Sequence, residues 1–337
     1  MRDEAYFRGR PKVVLHDHLD GGVRPGTVIE LAAVQGLALP VVGEAALAEW
    51  FTLRPGMPFP EAWSRFHLVI SLLQDADALR RVAREAVEDV AADGVAYLET
   101  RFGPMSHQRA GLTSDEVMAA VIEGLAEGEA ATGTVARLIV CGIREDGPAL
   151  GLEAARLGAA WADRGVVGYD IAGGEVGNPA ADFAAAYGVA ADAGLGRTVH
   201  AGEMDGIDSV ASAVTLDPDR IGHGWRLVDD LDGAVAAEVR DRGLPLEVCV
   251  TSNACLGLPV ADHPVRRLVD AGFIVTVNPD DRTITTTTTS RELALWAGHH
   301  GFTDRELAQF QQAAVAAAFC DDATRATLAE AITAGWG

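Results

Sequence analysis

Lysine is almost absent from this chain: Lys12 is the only one in 337 residues, and arginine supplies the rest of the positive charge. Acidic residues outnumber basic ones 49 to 27, for a formal net charge of −22. A chain this acidic has no basic face to offer, which argues against nucleic acid or an anionic membrane surface as partner. Cysteine is scarce as well. Cys141, Cys249, Cys255 and Cys320 are scattered with no Cys-x-x-Cys pair, and three lie in apolar surroundings, which reads as reduced, intracellular cysteine. No run approaches the roughly 18 apolar residues of a membrane span. The N-terminal MRDEAYFRGR lacks the apolar core of a signal peptide. A cytoplasmic protein is the expectation. No linker, low-complexity tract or charge block marks a second domain, so residues 1–337 are expected to form a single domain. A G-x-G-x-x-G after an early strand, the mark of an open doubly wound sheet, is also missing.

Apolar runs alternating with helical patterns are what the chain does have. Strands are expected at 12–18, 95–101, 136–143, 166–172, 196–200, 220–224, 245–250 and 273–281. Helices are expected from Pro25 to about Val34 and over 67–93, 114–132, 148–164, 179–193, 230–242 and 264–271. Residues 1–11 read as a polar lead-in, Thr285–Thr289 as a loop, and the remainder from Ser290 as helical and Ala-rich. Eight strands separated by helices argue an α/β fold, a (β/α)8 TIM barrel with extra helices after strand one and at the C-terminus. The stretch WFTLRPGMPFPEAWSRF (50–66) reads either as buried core or as an apolar lid over a pocket.

In such a barrel, chemistry gathers at the C-terminal ends of the strands. Strand one ends in His16-Asp17-His18. Side chains alternate along a strand, so both imidazoles face one way, and Asp20 joins them if the strand runs that far. Strand five ends in His200, with Glu203 just beyond. Strand six ends in His223, and strand eight in Asp280-Asp281. Three imidazoles and a carboxylate (His16, His18, His200, Asp280) suit a divalent ion such as Zn²⁺ with one position left for water. Such an ion lowers the water's pKa toward ~7. His223, left without a metal, suits a general base or an orienter of that water. Glu203 suits a proton shuttle to the substrate, and Asp281 an acceptor for substrate or water. His67, His107, His263, His299 and His300 fall in helices or loops and read as solvated or structural.

These residues resemble the adenosine deaminase family of the metal-dependent amidohydrolases. The matching segments run in order along nearly the whole chain: PKVVLHDHLDGG (11–22), YLETRFGP (97–104), VVGYDIAGGE (166–175), HAGE (200–203), RIGHG (220–224), LEVCVTSN (246–253) and NPDD (278–281). The resemblance implies a (β/α)8 barrel with one Zn²⁺ per chain and hydrolytic deamination of a purine nucleoside, adenosine or 2′-deoxyadenosine, at C6. It implies His16, His18, His200 and Asp280 as metal ligands. Glu203 is implied to protonate the ring nitrogen beside C6, and His223 to orient and deprotonate the water. Asp281 is implied to accept near N7, the Gly173 backbone to donate to N3, and Asp20 to accept from the ribose 5′-hydroxyl. His18 also faces the substrate.

Asp20 bears on the choice of substrate. Within the family, adenine deaminases tend to carry Glu at this place and the branch acting on methylated nucleotides Asn. An anionic Asp repels phosphate and bonds well to a free hydroxyl, so an unphosphorylated nucleoside is expected. Pro279 and Arg282 depart from the family, where Thr and Pro are common. Pro279 stiffens the approach of Asp280, and with both aspartates present the chemistry is expected to be intact. Arg282, the RTITTTTT run and the 54–66 segment are expected to reshape the pocket. The alternative is therefore a sibling deaminase acting on a 5′-modified adenosine, such as aminodeoxyfutalosine or a nucleoside-antibiotic intermediate, or on adenine.

Overall fold

The computed structural model describes residues 2–337. Eight parallel strands follow one another in chain order around a barrel. They are β1 (Lys12–His18), β2 (Val95–Phe102), β3 (Val135–Ile143), β4 (Val166–Ala172), β5 (Gly196–Ala201), β6 (Arg220–His223), β7 (Leu246–Val248) and β8 (Val275–Val277). A parallel bridge between Asp17 and Asp280 joins the last strand to the first. Helices cover the outside, so the strands are buried on both faces. That is why runs such as Val13-Val14-Leu15 and Leu138-Ile139-Val140 show no polar alternation.

The barrel interior holds charge as well as apolar side chains. Arg220 donates to Glu99 (2.5 Å) and Glu247 (2.6 Å), and Arg101 donates to Glu247 (3.0 Å), all fully buried. Buried charges persist only when paired and hydrogen-bonded, and this network meets that condition across β2, β6 and β7. Phe319 closes the floor. Its ring lies 3.6 Å from the Arg220 guanidinium, and its N–H donates to Glu99. The C-terminal helices Asp304–Ala317 and Asp322–Trp336 carry this plug between them.

Several expected elements differ in detail. The helix expected over 67–93 is two helices, Phe59–Leu72 and Ala76–Ala92. They part at Asp75, whose side chain accepts from the Ala78 N–H (2.8 Å) and caps the second. With Pro25–Gln35 and Glu44–Phe51 they form the extra helices after β1. Thr288 caps Thr289–His299, so the threonine loop ends one residue earlier than expected. The polar lead-in contains a helical turn, Glu4–Arg8. Helices at Ile207–Val214 and Val250–Cys255 were not legible in the pattern. The second follows β7 so closely that Val250 and Thr251, strand-prone by composition, read as more strand. No helix among the described residues is long and apolar enough to cross a membrane.

Candidate active site

His16 is fully buried on β1, and His18 ends that strand. The strand goes no further. Asp20 opens a short 3₁₀ turn, Asp20–Gly22, rather than extending the row of histidines, yet it faces the same cavity. The turn is glycine-rich because the β8 loop presses on it. A Cβ at Gly21 would sit 1.8 Å from Asp281 Oδ1, and one at Gly22 would sit 2.3 Å from an Arg282 nitrogen. His223 and Asp280, at the ends of β6 and β8, adopt left-handed backbone conformations with φ of 60° and 64°. Non-glycine residues held there cost about 1–3 kcal/mol each, and such strain concentrates where side-chain aim matters.

His16, His18, His200 and Asp280 converge. One side-chain atom from each lies within 4.8 Å of the others. Nε2 of His16 and Nε2 of His18 are each 3.2 Å from Asp280 Oδ1, and the Nε2 atoms of His18 and His200 are 3.1 Å apart. His16 Nε2 and Asp280 Oδ1 are buried with no hydrogen-bond partner. Tetrahedral bonds of about 2.0–2.1 Å place ligand atoms about 3.3 Å apart. Buried, unsatisfied donor atoms at that spacing fit a small divalent cation.

The far sides of these rings are also held. His16 Nδ1 lies 2.7 Å from Glu247 Oε2, and His200 Nδ1 lies 2.9 Å from Asp170 Oδ2. A carboxylate at Nδ1 places the proton there and turns the Nε2 lone pair toward the cluster. Arg101 bonds to both carboxylates at once and also donates to the Leu15 carbonyl (2.5 Å). Burial by itself would raise Glu247 and Asp170. Arg101 and Arg220 hold Glu247 well below the usual carboxylate range, while His200 and Arg101 hold Asp170 down.

Above the cluster, His223 Nε2 lies 3.5 Å from Glu203 Oε1 and 3.9 Å from Asp280 Oδ2. Burial, then the nearby Asp280, Glu175 and Asp281 carboxylates, pushes Glu203 well above its ordinary range. Burial and the Asp280, Asp20 and Asp17 charges do the same to Asp281. Burial holds His223 well below its ordinary value. A carboxyl shifted toward its protonated form and an imidazole shifted toward its neutral form thus face one space, the arrangement acid–base chemistry uses.

These groups floor a cavity of about 280 Å³. Its apolar wall comes from the 50–70 stretch: Leu53, Ala62, Trp63, Phe66 and Ile70. Gly173 lines it too. Its φ is 100°, and a Cβ there would meet Glu145 Oε2 at 2.2 Å, so only glycine fits.

Some expectations need correction. Arg282 and the threonine run do not line the cavity. Arg282 turns behind β1 to pair with Asp17 (2.5 Å), while Thr287 donates to the buried Glu292 (2.8 Å). Of the five histidines read as solvated or structural, His67 lines the cavity wall and His263 is bonded to Asn253, which in turn contacts His223. Sequence reasoning passed over Glu247, Arg101 and Glu175. Glu175 is buried and accepts the backbone N–H groups of Glu203 (3.1 Å) and Asp205 (2.9 Å), fixing the loop after β5. Charged residues inside apolar strands, as in Tyr97-Leu98-Glu99-Thr100-Arg101 and Leu246-Glu247-Val248, were the available signal.

The adenosine deaminase family model matches residues 11–335. An adenosine deaminase of Mycobacteroides abscessus is 41% identical, covering 92% of this chain and 90% of that one. Among solved structures, an amidohydrolase from Burkholderia ambifaria with bound Zn has a TM-score of 0.88 at 31% identity, covering 99% of this chain and 92% of that one. An adenine deaminase from Arthrobacter aurescens has a TM-score of 0.89 at 27% identity, covering 96% and 98%. The chain therefore belongs to the adenosine deaminase family, within the metal-dependent amidohydrolases, and is a deaminase that hydrolyses a C–N bond.

Proposed function

We propose that the protein deaminates adenosine and 2′-deoxyadenosine at C6, releasing ammonia and the 6-oxo nucleoside. One observation carries this reading: a carboxyl pushed toward its protonated form, Glu203, faces the same space as the His16–His18–His200–Asp280 cluster. Those four residues would hold one Zn²⁺, which supplies a water acidic enough to attack at neutral pH. Glu203 gives its proton to the ring nitrogen beside C6, so electron density leaves the carbon as the new C–O bond forms. His223 holds the attacking water against that carbon. Asp281 meets the purine near N7, the Gly173 backbone meets N3, and His18 borders the sugar side. The apolar wall from Leu53 to Ile70 covers the base and excludes bulk water.

A cavity of about 280 Å³ lies just below the usual range of ligand pockets, about 300–1,000 Å³, which favours a small ligand such as a nucleoside. Asp20 lines it and favours a free 5′-hydroxyl over a phosphate. The test is ammonia release by the metal-loaded protein with adenosine, 2′-deoxyadenosine, adenine, AMP, 5′-methylthioadenosine and aminodeoxyfutalosine. The two unmodified nucleosides are expected to lead by ~100-fold in kcat/KM, or roughly 2.7 kcal/mol in transition-state binding. A lead by any 5′-substituted member or by adenine overturns the substrate assignment.

A further inference from the structure

Asn253 closes the LEVCVTSN segment, and the proposed chemistry leaves it without a task. It sits behind His223, outside the cavity lining, in a single file of buried groups. The Val265 N–H donates to His263 Nδ1 (3.2 Å). His263 Nε2 lies 3.1 Å from Asn253 Oδ1, and Asn253 Nδ2 lies 3.3 Å from His223 Nδ1.

One end of this file fixes the direction of every bond in it. A backbone N–H can only donate, so His263 Nδ1 accepts. A neutral imidazole that accepts at Nδ1 carries its proton at Nε2. His263 is neutral, because burial, aided by His300, pushes it down to about 3. Its Nε2–H therefore donates to Asn253, and the amide atom it meets must be the oxygen. The amide nitrogen then faces His223 and donates to Nδ1. His223 Nδ1 is an acceptor, and its proton sits on Nε2. The ligand-side histidines are wired the opposite way: His16 and His200 have carboxylates at Nδ1, where His223 has an amide N–H.

We infer that Asn253, oriented by His263, is a positioning residue that fixes His223 as the Nε2–H tautomer, so that His223 meets the attacking water as a hydrogen-bond donor and not as its base. The second half rests on the proposed hydrolysis, which places the water there. Of the two roles open to His223 in the sequence, orientation remains. As the C–O bond forms and the water O–H breaks, the proton goes to a carboxylate facing the same space. Asp280 Oδ2 lies 3.9 Å from His223 Nε2.

The test is a two-bond ¹H–¹⁵N correlation spectrum of the metal-loaded protein with labelled histidine, at neutral pH and without substrate. The His223 ring is identified by its loss in His223→Gln. The expected wild-type signature is Nε2–H. In Asn253→Asp the new carboxylate only accepts, so His223 is expected to switch to Nδ1–H. Loss of the donor is expected to lower kcat by about 100-fold with KM changed by less than about twofold. Asn253→Ala removes the amide donor without imposing the other tautomer, and kcat is expected to fall less. An Nδ1–H signature in the wild type overturns the inference. So does an Asn253→Asp protein that retains Nε2–H, or one that switches tautomer with kcat unchanged. Should Asn253→Asp not fold, the wild-type spectrum decides alone. Because the tautomer is read without substrate, failure of the adenosine assignment would show in the substrate panel and leave this spectrum as it is.

Discussion

Asp17 and Asp280 pair across the seam where the barrel closes. The His18 N–H donates to the Asp280 carbonyl (3.2 Å), and the Asp280 N–H donates to the His16 carbonyl (3.1 Å). The residues whose side chains form the cation cluster therefore close the barrel with their backbones. Behind the seam, Asp17 is fully buried, accepting from Arg282 Nε (2.5 Å) and Thr100 Oγ1 (2.9 Å). Arg282→Ala leaves the Asp17 charge without its cation. Breaking one side of a buried pair costs about 3–5 kcal/mol, and a drop of that size is expected in the free energy of urea unfolding. Adding Asp17→Asn is expected to recover part of it. A double variant no more stable than Arg282→Ala would mean that Arg282 acts by packing alone.

Glu247 accepts from His16, Arg101, Arg220 and Thr198. Glu247→Gln replaces a shared anion with a neutral amide that cannot serve all four donors. Partners of ligating histidines are worth roughly 10–100-fold in metal affinity, so a loss in that range is expected in competition against a chelator. Asp170→Asn, behind His200, is expected to act similarly. Wild-type retention in both variants would remove these carboxylates from any role in the cation site.

Glu203→Gln makes the contrast. Glu203 is not one of the four cluster residues, and its loop is held by Glu175 through backbone N–H groups, which the substitution leaves in place. Metal content and melting temperature are expected to stay near wild type, while kcat falls by about 10²–10⁴-fold, the range for removing a general acid. Turnover within a few-fold of wild type would exclude Glu203 as the proton donor.

The barrel was legible because parallel strands buried on both faces read as apolar runs, and β1 and β4 match their expected bounds residue for residue. The cluster was legible because each strand delivers its polar residue where the run stops. Two things were hidden. Short helices such as Val250–Cys255 have strand-like composition, and tertiary packing sets their state. The supports of the site, Glu247, Arg101, Asn253 and His263, take their roles from what they touch across 10 to 231 residues of sequence; a charge inside an apolar strand flags Glu247 and Arg101 but not their partners. Spacing cannot report such contacts.

Glu292 gives a pH signature of stability. It is fully buried, accepting from the Thr251 N–H (3.3 Å) and Thr287 Oγ1 (2.8 Å). Burial, which outweighs those bonds, raises it from 4.5 to about 7. Between those values the folded protein holds a proton that the unfolded chain has lost. Stability from this group is therefore full below 4.5 and is lost as pH rises through 7, by a few kcal/mol in all. Unfolding free energies taken across that window are expected to fall less steeply in Glu292→Gln. Equal slopes in the two proteins would mean that Glu292 is already ionised when folded.

Under the proposed function, Asp20 is the residue on which substrate choice is expected to turn. It lines the cavity with His18, on a short turn whose glycines lie close against the Asp281 and Arg282 side chains. A carboxylate accepts strongly from a hydroxyl and opposes a phosphate. Asp20→Asn keeps the shape, removes the charge and adds an N–H donor. The expected result is a fall in kcat/KM for adenosine by about 10-fold, a charged hydrogen bond being worth about 1.5–3 kcal/mol, with AMP gaining relative to adenosine. Discrimination between adenosine and 5′-deoxyadenosine is expected to shrink in parallel, because both effects come from the same carboxylate. If the ratios of adenosine to AMP and to 5′-deoxyadenosine both stay at their wild-type values, the 5′ end of the substrate lies elsewhere, and the wall formed by Trp63, Phe66 and His67 becomes the place to test.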